Sequence, residues 1–198
     1  MPRTARLRRY NARLSMHLPR YALIAYVHGP VAQFVENLRH ELHPELPHMA
    51  AHVTILPPRC IEIPETDAIR NLEETCAGVE PFEVVLGEVE TFIPVTPTLF
   101  IRVAHAAARM QALHDELNHG PFEYMEQWPY IPHLTIAKMT TEEQAWSGFE
   151  TARRRWLDYA CSRRIPLEKL NFVREEEPNC WVDLAAVHLG RRLVSRSS

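Results

Sequence analysis

The chain has 198 residues, of which 46% are hydrophobic and 24% charged, and its formal net charge is −3. These values are ordinary for a soluble globular protein of one domain, and the net charge excludes a protein that binds polyanions over its whole surface. The six glycines form neither a G-x-G-x-x-G motif nor a P-loop, which argues against dinucleotide-cofactor enzymes and NTPases.

The N-terminal segment, residues 1–19, is rich in arginine. No apolar stretch of signal-peptide length follows it, and no window approaches the ~18 apolar residues of a membrane span. We predict a flexible basic arm over 1–19, with a nucleic-acid or partner contact as the alternative, and a single domain over 20–198. The cysteines show no C-x-x-C spacing, which predicts reduced thiols, no metal site and a cytoplasmic protein without membrane contact.

The first part of the chain alternates strand and helix patterns. Short apolar runs bounded by Gly or Pro predict strands, and apolar residues three and four positions apart predict helices. In chain order these are a strand over Tyr21–Val27, a helix over Val31–Leu42, a strand over Ala51–Leu56 stopped by Pro57–Pro58, a helix over Glu65–Cys76 and a strand from Phe82 that Gly87 interrupts.

The second part repeats this alternation. The predicted elements are a strand over Thr98–Val103, a helix over Ala106–Leu117, a strand over Ile131–Ala137, a helix capped by Thr140 or Thr141 and running to about Ala160, and two strands over Pro166–Val173 and Cys180–Leu189 that pair as a hairpin. Short connections between many strands favour antiparallel pairing. The sequence therefore predicts an α+β protein made of two βαβ-type blocks with largely antiparallel sheets.

Two short segments, one in each part, share a pattern. They read His52-Val53-Thr54-Ile55 and His133-Leu134-Thr135-Ile136. In a strand, His and Thr of each segment lie on one face and the apolar residues on the other. A single segment of this kind is an ordinary polar face of a strand, but two at equivalent places indicate a site in which a pseudo-twofold axis brings the pairs together.

The residue types suit cleavage of a phosphodiester. Imidazole titrates near neutrality, so one histidine can accept a proton from water while the other donates one to the leaving oxygen. The threonine hydroxyls can hold non-bridging phosphate oxygens, where charge develops in the reaction. Neither segment supplies the further carboxylate or imidazole that a metal site needs, so no metal and no cofactor are predicted.

The paired His-x-Thr-x segments resemble the signature of the 2H phosphoesterase superfamily, which includes the bacterial 2′-5′ RNA ligase-like proteins. The resemblance extends over about 21–189. It implies a bilobal fold around a central cleft, with His52, Thr54, His133 and Thr135 as the catalytic four. It also implies action on 2′,3′-cyclic phosphates or 2′-5′ linkages of RNA or nucleotides, in a hydrolytic or a ligating direction, with His133 as the base and His52 as the acid.

Residues around the two segments are candidates for substrate contacts. Lys138 stands where the family often has a basic residue, commonly Arg in the RNA ligase-like members, and Arg59 follows the first segment; both are candidate phosphate ligands. Tyr130 and Phe100 are candidate stacking platforms for a base. The expected partner is an RNA end or a cyclic nucleotide, and a monomer is favoured.

Two other functions are compatible with the same residues. The cleft could bind cyclic or 2′-5′-linked nucleotides without turning them over, which the basic arm would suit. The protein could also be a phosphodiesterase for a small molecule other than RNA. The sequence continues after the first segment as Leu56-Pro57-Pro58-Arg59, where the RNA ligase-like members have a Phe-Leu-Gly type sequence, and this difference leaves the substrate open.

Overall fold

The structure is a computed structural model that describes residues 19–42 and 49–190. The predicted basic arm lies outside these residues except for residue 19. Arg20, at the start of the first strand, is tied down by an ion pair of 3.2 Å with Glu175.

Eight strands and four helices make up the described chain. The strands are β1 Arg20–Tyr26, β2 His52–Cys60, β3 Phe82–Thr91, β4 Thr98–His105, β5 His133–Lys138, β6 Arg164–Leu167, β7 Lys169–Glu177 and β8 Cys180–His188. The helices are α1 Gly29–Leu42, α2 Glu65–Ala77, α3 Ala107–Leu117 and α4 Glu142–Leu157, with a short 3-10 turn at Gly120–Phe122.

All eight strands belong to one sheet, in the order β6-β3-β4-β5-β2-β1-β7-β8, and every neighbouring pair is antiparallel. The α+β class and the antiparallel pairing predicted from the sequence are confirmed. The β7–β8 hairpin is also as predicted. The two lobes are the two halves of this sheet, and they meet where β2 pairs with β5.

The lobes are not contiguous blocks of sequence. β3 follows the first two strands along the chain but pairs with β4 and β6 in the other lobe, while β7 returns to pair with β1. Each part of the chain thus donates strands to the opposite lobe. Local patterns cannot reveal this exchange, because it depends on pairings between residues far apart in sequence.

The predicted strand over Pro166–Val173 is instead two strands, divided at Glu168. β6 is at one edge of the sheet and β7 is next to the other edge. In a flat sheet they would be six strand spacings, about 29 Å, apart, whereas the two steps from Leu167 to Lys169 span at most about 7 Å. The sheet must therefore curl strongly, which gives it the form of a half-barrel.

Two predicted interruptions are wrong. β2 continues through Pro57 and Pro58 to Cys60, and β3 continues through Gly87 to Thr91. At both places the register shifts, so irregular pairing absorbs residues that a regular ladder would exclude. A side chain is not accommodated at Gly87, because β4 approaches it closely: a Cβ there would lie 2.9 Å from the Cβ of Ala104.

The helices cover one face of the sheet. α1 and α4 pack on β5, β3 and β4, whereas α2 and α3 pack on β2 and β8. Their buried residues, such as Leu72, Met110 and Trp156, join the inward residues of the strands in one apolar core. Burial of this apolar surface is the main stabilising term of the fold, and it fixes which face of each strand stays open. None of the helices in 19–42 or 49–190 is long and apolar enough to cross a membrane.

The N-terminus of α4 is capped as predicted, and the structure selects Thr141 over Thr140. The Thr141 hydroxyl accepts a hydrogen bond of 3.2 Å from the backbone N–H of Gln144. We expect Thr141→Ala to lower the free energy of unfolding by about 1 kcal/mol, measured by urea denaturation. Thr140→Ala is the matched control and should change it by less than about 0.5 kcal/mol; equal losses in both variants would contradict the assignment.

Candidate active site

The two His-x-Thr segments lie side by side at the centre of the sheet and run in opposite directions. We call this antiparallel pairing of the two motifs the crossing. β2 and β5 run antiparallel with Val53 opposite Leu134. One residue further in each direction, this register sets His52 opposite Thr135 and His133 opposite Thr54. Val53 and Leu134 are completely buried under the helices, so these four polar side chains share the opposite face, which we call the site face. The pseudo-twofold arrangement predicted from the paired segments is present in this crossing.

A β-bulge follows each segment at the same place. Ile24 pairs with Thr54 and Leu23 with Leu56, so Ile55 is an extra residue on β2. In the second lobe, Phe100 pairs with Thr135 and Leu99 with Ala137, so Ile136 is extra on β5. The two bulges are therefore equivalent under the pseudo-twofold axis.

The bulge at Ile136 decides where Lys138 points. Five residues after His133, Lys138 would face the helices in a regular strand, but one extra residue reverses the alternation. Lys138 is exposed and its charge acts on the rings of both His52 and His133. The structure thus brings Lys138 together with the four residues of the motifs, whereas its counterpart after the first bulge is the uncharged Pro57.

Both histidine rings are held in the same orientation. Nδ1 of His52 lies 2.7 Å from the carbonyl oxygen of Ala50, and Nδ1 of His133 lies 2.6 Å from that of Ile131. A carbonyl oxygen only accepts, so Nδ1 carries the hydrogen in each ring. The neutral rings therefore have their lone pair on Nε2, and no hydrogen bond from the residues in 19–42 and 49–190 occupies either Nε2. Each ring can accept or return a proton through that atom.

The surroundings keep both rings neutral. The pKa of His52 is lowered to about 4, because burial and the positive charges of Arg39, His133 and Lys138 outweigh the hydrogen bond to Ala50. The pKa of His133 is also lowered, first by burial and then by Lys138. Near pH 7 the free protein thus offers two unprotonated imidazoles, and a bound anion is needed to favour a proton on either one.

Arg39 of α1 supports the second segment from behind. Its guanidinium is buried and donates to the carbonyl oxygens of the bulged residue Ile136 at 3.1 Å and of Thr135, just before it, at 2.7 Å. The same group donates to the carbonyl oxygen of Met49 at 3.0 Å. Carbonyls that a bulge leaves without a ladder partner need a donor when buried. Arg39 supplies this donor for the second segment, and its bond to Met49 holds the residues that precede the first segment.

Glu36 completes this support. It forms an ion pair of 2.9 Å with Arg39, and the same carboxylate oxygen accepts a hydrogen bond of 2.7 Å from the N–H of Ala51. A buried guanidinium is tolerated only when it is paired and hydrogen-bonded. The segment that leads into His52 is therefore tied to the backbone of the second motif.

Tyr130 supports the first segment in the equivalent way. Its hydroxyl donates to the carbonyl oxygen of Thr54 at 2.7 Å, and burial together with nearby Glu126 raises its pKa, which keeps it a donor. Its ring stacks on His114 of α3 with centroids 4.2 Å apart. One face of Tyr130 is thus occupied, and its observed role is to hold Thr54 rather than to present an open platform.

Arg59 does not lie in the site. Its register partner Tyr21 is a core residue, so Arg59 points to the helix-covered face, where it is 2% exposed. It donates to the carbonyl oxygens of Pro57 and Phe122 and pairs with Glu126 at 2.8 Å. Glu126 also lies 3.0 Å from Nε2 of His114. The donors of Arg59 are thus used to hold the segment that leads to Tyr130.

Phe100 lies beside the site but is 2% exposed. Its ring and that of Phe92 are stacked at 4.1 Å, and both meet the ring of His133 edge-on at 5.1 Å. Phe100 therefore buttresses His133. Phe92, which is half-buried, is the aromatic side chain of this pair that a ligand can reach.

Sequence reasoning missed Arg39, Glu36, His114, Glu126 and Phe92. Two of them carried a signal. Arg39 falls four residues after Val35, on the buried stripe of α1, and His114 falls four residues after Met110, on that of α3. A polar or charged residue on an apolar stripe needs an internal partner, and here the partners lead to the two motifs. Across 19–42 and 49–190, no three His, Cys, Asp or Glu side chains are grouped in a way that could hold a metal ion.

Comparison with known proteins identifies the family of the chain. The sequence profile of the 2′-5′ RNA ligase superfamily matches residues 27–179. A protein of Halalkalibacterium halodurans, provisionally named a phosphoesterase, is 29% identical over 119 residues, 60% of this chain and 69% of that protein. A protein of Bacillus cereus strain G9842 with the same provisional name is 24% identical over 156 residues, 78% of this chain and 88% of that protein.

Solved structures agree on the fold. TT0787 of Thermus thermophilus is similar with a TM-score of 0.59 at 18% identity, covering 86% of this chain and 98% of that one. E. coli LigT complexed with NADP+ is similar with a TM-score of 0.60 at 12% identity, covering 87% and 99%. The family predicted from the paired motifs is confirmed: the chain belongs to the 2′-5′ RNA ligase superfamily, the 2H phosphoesterases.

Proposed function

We propose that this protein is a phosphodiesterase that hydrolyses 2′,3′-cyclic phosphates at the ends of RNA or of nucleotides, by general acid–base catalysis and without a metal. The observation that carries this proposal is the crossing of β2 and β5, which sets each histidine opposite the threonine of the other motif. Two imidazoles and two hydroxyls then surround one position where a phosphate can sit. That LigT has been crystallised with 3′-AMP and with NADP+ supports a nucleotide as the ligand.

The reaction begins when the phosphate binds between the motifs. Its negative charge favours the protonated form of a neighbouring imidazole, so His52 gains the proton that it lacks in the free protein. Nε2 of His133 accepts a proton from a water molecule, and the water oxygen attacks phosphorus in line. His52 donates its proton to the departing ribose oxygen as the P–O bond breaks, which leaves a phosphomonoester and a free hydroxyl.

The threonines and Lys138 stabilise the phosphate group and take no part in the proton transfers. The Thr54 and Thr135 hydroxyls donate to its non-bridging oxygens, and Lys138 adds a positive charge on the side of the second motif. The same groups can also join RNA ends: the 5′-hydroxyl of a second end takes the place of water, His133 accepts its proton as its oxygen attacks phosphorus, and His52 protonates the ribose oxygen that leaves. This assignment of His133 as base and His52 as acid follows the family resemblance.

The first prediction concerns the two histidines. We expect His52→Ala and His133→Ala each to lower the turnover of a nucleoside 2′,3′-cyclic phosphate by on the order of 10²–10⁴-fold, because each removes one proton-transfer group. His105→Ala is the control, since His105 ends β4 opposite Val85, away from the crossing. EDTA should leave the wild-type rate unchanged. Full activity in either His52→Ala or His133→Ala would contradict the mechanism.

The substrate is tested with a panel of phosphodiesters followed by phosphorus NMR. We expect nucleoside 2′,3′-cyclic phosphates to be consumed, because the motifs provide both proton-transfer groups. Tight nucleotide binding with no product over hours would instead support a binding module. Turnover restricted to diesters without a nucleoside would reassign the enzyme to another small molecule.

The lowered pKa values predict an acidic optimum. The productive form of the free enzyme has one protonated and one neutral imidazole, and both pKa values lie below the ordinary value of about 6.5, with His52 at about 4. kcat/KM should therefore fall as pH rises from about 6.5 to 8.5, because the small fraction of free enzyme in which the pair holds one proton decreases as the pH rises above both pKa values. In kcat the fall should occur at higher pH, because bound phosphate raises these pKa values. A flat kcat/KM up to pH 8.5 would contradict this account.

The hydroxyl of Tyr130 should matter for rate. Tyr130→Phe removes the donor to the Thr54 carbonyl and frees the bulged strand to shift, so we expect kcat to fall on the order of tenfold and the free energy of unfolding to fall by about 1 kcal/mol. Tyr159→Phe is a matched control, because its hydroxyl also donates to a carbonyl oxygen, that of Ser162, far from the motifs. Comparable kcat values for the two variants would contradict a positioning role for Tyr130.

A further inference from the structure

The site face continues from the first motif across β1 and β7. Thr54 pairs with Ile24, and Ile24 pairs with Asn171. Side chains at paired positions point to the same face of a sheet, so Asn171 faces the same way as Thr54. It lies two strand spacings, about 10 Å, from the β2 backbone.

Asn171 carries a buried hydrogen-bond acceptor without a donor. Its side chain is 7% exposed, and its Oδ1 atom meets no donor from residues 19–42 or 49–190. Its Nδ2 donates to Asp183 Oδ2 at 3.2 Å. Turning the amide over would set Oδ1 against a carboxylate oxygen, so the pairing with Asp183 fixes which atom is left over. A buried acceptor of this kind costs stability unless something pairs with it.

Asp183 and Tyr26 complete a polar chain that leads to the catalytic centre. The Tyr26 hydroxyl donates to Asp183 Oδ1 at 2.7 Å, and burial followed by Asp183 raises its pKa, so it remains a donor. Tyr26 is the register partner of His52. The Asp183 carboxylate thus accepts from both neighbours, and Asn171 Oδ1 is the buried side-chain atom of this trio that has no hydrogen-bond partner among the described residues.

The apolar residues around the trio suit a planar ring. Ala22, Ile24 and Val173 form a small buried cluster, against which Tyr26, Met49 and Trp181 are packed while only partly buried. The equivalent row in the other lobe runs from Thr135 through Phe100 to Glu90, and Glu90 is paired with Arg102 at 3.5 Å. The lone acceptor is therefore special to the lobe of the first motif.

We propose that Tyr26, Asn171 and Asp183 form a subsite for the nucleobase of the substrate, in which Asn171 Oδ1 accepts a hydrogen bond from an N–H group on the edge of the base. This inference rests on the proposed function, because it requires the phosphate to lie between the two motifs. From there the ribose spans the row of Ile24 and the base edge reaches Asn171. The binding adds no charge to the site, since an amide oxygen accepts from a neutral donor.

The test compares substrates with and without a base. Asn171→Leu removes the acceptor at similar volume, so kcat/KM for adenosine 2′,3′-cyclic phosphate should fall about tenfold, the value of one buried hydrogen bond. The rate with ethylene cyclic phosphate, which has no nucleoside, should stay unchanged. The midpoint of urea unfolding should change little, because loss of the hydrogen bond from Asn171 to Asp183 is offset by removal of an unpaired buried acceptor.

A second substrate isolates the hydrogen bond itself. Purine riboside 2′,3′-cyclic phosphate has no N–H group on its base. The wild-type protein should therefore lose about tenfold on this substrate, whereas Asn171→Leu should lose nothing further. Additive losses from the two changes, or equal losses on the nucleoside and base-free substrates, would overturn the subsite.

Failure of the proposed function would look different. If the wild-type protein hydrolyses neither cyclic phosphate, calorimetric titration with 3′-AMP decides the matter. Binding about tenfold weaker in Asn171→Leu would still support the subsite, while equal binding or no binding to either protein would overturn it.

Discussion

The antiparallel crossing of β2 and β5 is the constraint on which the rest of the site depends. A strand alternates its side chains between two faces, so burying Val53 and Leu134 under the helices forces their neighbours onto the open face. A slip of one residue in this pairing would turn one of the two strands over, which would bury its histidine and expose its apolar residue. The hydrophobic core thus enforces the geometry of the candidate catalytic residues, and most of the free energy that holds them comes from apolar burial rather than from contacts among them.

The bulges beside the crossing leave backbone carbonyls that need hydrogen-bond donors, and the two lobes supply these donors from different side chains. The bulge after each motif turns backbone carbonyls away from the ladder. In the second motif the guanidinium of Arg39 satisfies them, and in the first the hydroxyl of Tyr130 satisfies that of Thr54. Each supporting group depends on the helix that precedes the opposite motif: α1 precedes β2 but holds β5, and α3 precedes β5 but stacks behind β2. The exchange of elements between lobes therefore makes each motif depend on the other half of the chain.

Much of this could be predicted from the sequence because much of it is local. The periodicity indicated the helices and most strands, and the repeated His-x-Thr pattern pointed to the four central residues. What failed was non-local. Pro57–Pro58 and Gly87 look like strand ends, yet bulged pairing carries both strands through them. Arg59 looks like a phosphate ligand beside the first motif, yet a further irregularity in β2 turns it to the helix-covered face. Bulges shift the alternation by one residue, and a sequence does not display them.

The same shift explains why a symmetric scaffold can recognise an asymmetric ligand. The two bulges carry Lys138 and Pro57 to equivalent positions, so only the second lobe adds a positive charge. The lobes differ again one strand further out, where Ile24 lies beside the first motif and Phe100 beside the second. A phosphate at the crossing has near-symmetric proton donors and acceptors, but the groups attached to it meet Ile24 and the trio of Tyr26, Asn171 and Asp183 on one side. On the other side they meet Phe100 and the charge of Lys138. In the proposed function, the symmetry of the four motif residues serves the two proton transfers, and the asymmetry of the flanking strands sets the orientation in which a substrate binds.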